Sequence, residues 1–282
     1  MSQLKRYSVE FFPPKTEAGK SKLSATVTAF AQYQPDFFSV TYGAGGSTRD
    51  LTLSTVTDIQ KICNIEAAPH FSCIGSSKED LRHILQDFSA AGVKRIVALR
   101  GDLPSGCRDL GELRYANELV AFIRSETGDQ FQLEVAAYPE MHPQANNWQV
   151  DLQNFKKKVD AGANSAITQY FYNADCYYQF VDDCHKEGIN IPIIPGIMPI
   201  TNSTQLLRFS DACGTEIPRW LRKRLERYGD DLPSIREFGT DVVTRMCENL
   251  LQNGIENLHF YSMNQSEATL KLWQNLNLQP KP

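Results

Sequence analysis

The chain has 282 residues, with 29 Lys and Arg against 33 Asp and Glu, a formal net charge of -4. Its cations are scattered, the densest run being 156–158, so the basic stripe of a nucleic-acid binder is missing. No stretch approaches the ~18 apolar residues of a membrane span, and the first residues lack the apolar core of a signal peptide. Seven cysteines with no C-x-x-C pair suggest neither a disulfide framework nor a zinc ribbon, and fit reduced thiols in the cytoplasm. The length suits one barrel domain over residues 1–282, since a (β/α)8 barrel takes roughly 250 residues.

Short runs rich in β-branched and aromatic residues recur at 8–12, 38–43, 67–73, 96–102, 133–138, 166–171, 193–198 and 258–261. Helices are predicted between them at 17–33, 49–62, 78–91, 111–127, 147–161, 174–187, 203–213 and 236–253, with a closing helix at 265–276. Ser76 and Ser77 before Glu79 and Asp80 supply acceptors and negative charge to a first turn. Gly92, Gly162, Gly188 and Gly254 stand where helices end in left-handed turns. Strands alternating with helix-length segments argue βαβ units, and eight such units argue an α/β fold, a closed (β/α)8 TIM barrel. The segment 215–231 adds an extra helix between strands 7 and 8, where insertions overhang the barrel mouth.

In such a barrel the active site lies at the C-terminal strand ends, which offers Glu10, Thr41, His70, Asp102, Tyr138, Gln169 and Phe260. The Gly-rich turn 43–48 fails as a dinucleotide loop, because Thr48 replaces its third glycine and Glu66 opens the next strand instead of ending it. A turn that lets backbone approach a flat ligand fits it better. Arg100, Gly101 and Asp102 combine a guanidinium, a close-approach glycine and a carboxylate; an inter-loop salt bridge is the competing reading. Glu10 sits among Phe and Pro, where desolvation raises a carboxyl pKa and suits a general acid, unless an Arg pairs with it. His70 and Cys73 lack metal-ligand spacing, so no metal is expected.

The strings SVEFFPPKT, SVTYGAGGSTRDLT, EAAPHFSC, VALRGDLP, VAAYPEMHP, KKKVDAGANSAITQYFYN, IPIIPGIMPI and LHFYSMN fall in order at the eight strands. Together they resemble the methylenetetrahydrofolate reductase family in its short bacterial form, the catalytic barrel alone. The resemblance implies an FAD enzyme that takes hydride from NADH or NADPH and reduces 5,10-methylenetetrahydrofolate to 5-methyltetrahydrofolate, feeding methionine synthesis. It implies flavin contacts from Thr41, Tyr42, Ala44, His70, Arg100, Gly101, Asp102, Tyr115, Ala116, Tyr138, His142, Ala145, Asp151, Asn154 and Lys158. Glu10 matches the family's general acid, Asp102 its catalytic carboxylate, and Gln169 the amide that meets substrate. A homo-oligomer is implied as well, with neither nucleic acid nor membrane as partner. Two positions depart from the pattern: Gln265 stands where relatives place an Arg near the folate, and Leu225 where a lid Phe stacks on substrate. Two alternatives stay open, another FAD-dependent barrel of the proline dehydrogenase kind and a ligand-binding barrel without turnover.

Overall fold

Local chemistry sets the element ends. Ser77 caps a helix by accepting the Asp80 amide while the Asp80 carboxylate accepts from Ser77, a reciprocal capping box. At the other end Gly92 has φ +71°, a conformation that costs glycine least. The computed structural model describes residues 6–42, 49–102 and 110–281. Its elements run β1 (Arg6–Phe11), α1 (Glu17–Ala31), β2 (Phe37–Val40), α2 (Arg49–Ile62), β3 (Glu66–Ser72), α3 (Lys78–Ala90), β4 (Arg95–Leu99), α4 (Ala116–Thr127) and β5 (Gln132–Ala137). They continue with α5 (Trp148–Asp160), β6 (Ser165–Tyr170), α6 (Ala174–Lys186), β7 (Ile193–Ile197), α7 (Ser203–Cys213), α8 (Arg219–Tyr228), α9 (Leu232–Gln252), β8 (Asn257–Tyr261) and α10 (Glu267–Asn275).

The strands are parallel and close in sequence order, β1 pairing with both β2 and β8. This is the expected (β/α)8 TIM barrel, with α8 as the extra helix between β7 and β8. Two predicted helix starts move. α4 begins at Ala116 rather than 111, because Glu112 is engaged in accepting the Lys78 amide and the Glu118 carboxylate accepts from Arg114 and Tyr115. α9 begins at Leu232 rather than 236, since Asp231 caps it and Pro233 suits a first turn.

Side chains alternate across each strand, so the barrel has two buried layers. Val9, Phe11 and Phe260 belong to the large core between sheet and helices, where Phe260 meets Trp273 of α10 with ring centroids 5.6 Å apart. Phe37, Ala68, Val97 and Ile167 form a smaller core inside the barrel. Below it Arg95 pairs with the fully buried Glu134, which also accepts from Ser165, and the guanidinium lies 4.4 Å from the Phe37 ring centroid. This polar plug closes the N-terminal end and leaves the opposite end open for a site.

Candidate active site

A cavity of about 300 Å³ opens at the C-terminal strand ends, with Val97, Leu99, Ile167, Met198 and Met263 forming an apolar wall. Glu10, His70, Tyr138 and Gln169 all line it, so four residues expected from separate strands converge. Glu10 is held from both sides of its peptide: Ser262 donates to Glu10 O at 2.7 Å, and Asn264 exchanges two hydrogen bonds with the backbone of Phe12.

The expectation of an isolated carboxyl with a raised pKa is overturned. His70 Nε2 lies 3.3 Å and His259 Nε2 3.9 Å from Glu10 Oε2. Burial pushes the carboxyl up, but hydrogen bonding and charge from His259 and His70 outweigh it and hold Glu10 down to about 2. No Arg pairs with it among the described residues. His259 is fully buried, its Nδ1 2.7 Å from Ser8 Oγ, so the ring is fixed with Nε2 toward Glu10. Both Nε2 atoms are buried and face the Glu10 carboxylate.

The strands next to the cavity carry the expected cofactor residues. Thr41 and Tyr42 follow β2; Thr41 O accepts from Thr52, and Tyr42 shares a small cleft with His70. Ala44 lies outside the described residues. Gly101 has φ +82°, and a Cβ there would sit 1.8 Å from Ser72 Oγ, which donates to Arg100 O at 2.7 Å. Arg100 and Asp102 flank it, with Asp102 exposed and close enough to help raise the Tyr138 phenol, which burial pushes to about 12. Tyr115, 57% exposed, precedes Ala116 at the start of α4.

His142 packs edge-on against Tyr138 with centroids 4.4 Å apart, and its amide donates to Asp151 in the first turn of α5. Ala145 N donates to His142 O at 2.9 Å. Burial pushes the Lys158 ammonium down to about 8; it donates to Ala136 O at 2.6 Å, under the cavity wall. Asn154 is exposed on the same helix and accepts from Lys157.

Three expected substrate contacts are placed elsewhere. Phe260 is fully buried on the helix side of β8, because the residues at lumen parity are His259 and Tyr261. Leu225 is 3% exposed and belongs to the main core, holding α8 to the barrel instead of reaching the cavity. Gln265 lines a separate groove between α9 and α10. Phe209 on α7 does reach the cavity, beside Cys213, and joins Phe12, Tyr138, Tyr170 and Tyr261 in its lining. His259 and Tyr261 were legible in principle from strand parity opposite Glu10; Phe209 had no signal in periodicity, since its placement depends on how α7 lies over the mouth.

A (β/α)8 barrel with a carboxylate between two imidazoles at the mouth, and cations and aromatics on the adjoining strand ends, has the arrangement of an enzyme active site. Residues 2–277 match the family Methylenetetrahydrofolate reductase, and the chain belongs to that family. It is 40% identical over 273 residues to the 5,10-methylenetetrahydrofolate reductase of Escherichia coli, covering 97% of this chain and 91% of that one. It is also 40% identical to Methylenetetrahydrofolate reductase (NADH) 1 of Arabidopsis thaliana, spanning 96% of this chain and 48% of the plant protein. In fold it is similar, at TM-score 0.66 and 19% identity, to a Clostridium thermocellum protein described as binding two copies of 5-methyl-5,6,7,8-tetrahydrofolic acid, covering 98% of this chain and 95% of that one.

Proposed function

We propose that this chain is a single FAD-binding catalytic domain that reduces 5,10-methylenetetrahydrofolate to 5-methyltetrahydrofolate with hydride from NADH or NADPH. The observation that carries this reading is the Glu10, His70 and His259 cluster under an apolar cavity faced by Gln169 and Phe209, in a chain of this family. The free state of all six described cysteines suits a reducing cytoplasm.

The residues present fit a flavin dinucleotide. Gly101 lets backbone come close where a side chain would collide, Tyr138 and His142 offer aromatic edges, and Arg100 and Lys158 supply positive charge for a diphosphate. Thr41, Tyr42, Asp102, Tyr115, Ala116, Ala145, Asp151 and Asn154 complete the contacts supported by the family pattern. FAD held there would supply the redox chemistry that joins nicotinamide oxidation to folate reduction.

The protein's own part is to hold the folate and move a proton. Methylenetetrahydrofolate lies flat between Phe209 and the opposite face of the cavity, with Gln169 hydrogen-bonded to it. Covering Glu10 strips its remaining exposure to water and favours the neutral acid, the form that can donate a proton. Glu10 then protonates N10 as the C–N bond of the five-membered ring breaks, leaving an iminium carbon that takes the hydride. Asp102 stabilises the positive charge that develops. Anaerobic mixing of photoreduced flavoprotein with methylenetetrahydrofolate tests the reading: return of the oxidised flavin spectrum with formation of 5-methyltetrahydrofolate supports it, and a flavin that stays reduced overturns it.

A further inference from the structure

Gln169 reaches the cavity from a break in the sheet. Ile167 of β6 pairs with Ile194 of β7, but the next pair is Tyr170 with Gly196, three residues on one strand against two on the other. Such a bulge takes the residues within it, Thr168 and Gln169, out of the regular ladder with β7. Two contacts from other strands hold it. Gly196 N donates to Thr168 Oγ1 at 2.9 Å, and the hydroxyl of Tyr261 on β8 donates to Thr168 O at 2.7 Å.

Tyr261 spans β7 to make this bond, and only glycine leaves the room. A Cβ at Gly196 would lie 2.2 Å from Thr168 O and 2.6 Å from Tyr261 Cε2. The phenol remains a donor, since burial and the charge of Glu10 push its pKa well above the ordinary value. Within the bulge, Gln169 Oε1 accepts the Tyr170 amide at 3.0 Å, so the side chain turns its Nε2 hydrogens toward the cavity as donors.

We propose that Tyr261 is a positioning residue that acts through the β6 bulge, its hydroxyl fixing the Thr168 carbonyl so that Gln169 presents its amide donor to an acceptor on the substrate. The proposal rests on the folate-reductase reading above.

The test is a double-mutant cycle of Tyr261→Phe and Gln169→Ala, with flavin content and the two half-reactions measured separately. Tyr261→Phe is expected to keep its flavin and its rate of reduction by NADH, and to slow reoxidation by methylenetetrahydrofolate about ten-fold, in line with one lost buried hydrogen bond. In the Gln169→Ala background the same substitution should cost less than about two-fold, because its effect passes through the missing amide. Full multiplicative losses overturn the proposal, as they mean Tyr261 acts on substrate directly; equal loss of the NADH step means a general structural role. Gly196→Ala should reproduce the Tyr261→Phe defect by displacing the ring. A crystal structure of Tyr261→Phe checks the placement without any substrate, and Gln169 unmoved there overturns the proposal even if the wild-type protein ignores folate, an outcome that would sink the functional reading by itself.

Discussion

Glu10 shows how a neighbour reverses the effect of burial on a single group. Surrounded by hydrocarbon alone it would be neutral; with His70 and His259 facing it, it is held down to about 2. A folded pKa below the unfolded value means that Glu10 contributes stability above about 4.5 and loses it as pH falls toward about 2. Glu10→Gln should therefore close the stability gap to wild type across that acid window, a result readable from urea midpoints at stepped pH. The same variant should retain flavin and NADH oxidation with an artificial acceptor, while folate reduction falls ~10²–10⁴-fold, the usual cost of a lost general acid. Equal loss in both half-reactions would remove Glu10 from the proton-donor role. The pair Phe209 and Leu225 divides binding from stability in the same way. Phe209→Ala should raise the folate KM about ten-fold and cost less stability than Leu225→Ala, since Phe209 is only partly buried against the core. Leu225→Ala should leave folate KM alone and lower stability by about 2–5 kcal/mol, because it opens a cavity in the core.

At the scale of elements, the segment joining α7 to α8 is tied to the rim by a group on β6 and one on the loop after β5. Thr215 donates to Tyr170 O at 3.1 Å, and the Glu216 amide donates to Glu140 Oε2 at 3.0 Å. Burial pushes the Glu140 carboxyl up to about 7, opposed by the Glu216 amide it accepts from and assisted by the Glu216 charge. An acid whose folded pKa is raised binds its proton more tightly in the native state, so stability from this group is greatest below about 4.5 and is lost as pH rises to about 7. Glu140→Gln keeps an oxygen acceptor for the Glu216 amide and removes the titration. The Tm of wild type relative to this variant should fall between pH 5 and pH 8; a constant difference would show that Glu140 titrates normally. Because α7 also carries Phe209 and Cys213 into the cavity wall, the same comparison run on folate KM shows whether the rim tie matters to binding.

At the scale of the molecule, the barrel separates a closed stabilising end from an open chemical end. Arg95→Met would strand Glu134, fully buried, with Ser165 as its remaining partner among the described residues, and should cost about 3–5 kcal/mol in chemical unfolding. Flavin binding per folded molecule should not change, since the plug lies at the far end from the cavity. The alternation of strands and helices, the Ser77 cap and the turn at Gly92 were legible in the sequence because each depends on residues within a few positions of one another. The family motifs likewise marked Glu10, His70, Tyr138 and Gln169, which do share one cavity. What the sequence alone left open was facing. Ser8 and His259 meet across 251 positions, and Tyr261 reaches Thr168 across 93. Such contacts exist only once the barrel has closed in one register, and a shift of one residue would exchange His259 for Phe260 on the lumen side. The tertiary structure therefore decided that imidazoles flank Glu10, that Phe209 and not Leu225 walls the cavity, and that Gln265 faces a different groove. Local propensity determines which elements form, while closure and helix packing determine which of their faces meet the ligand.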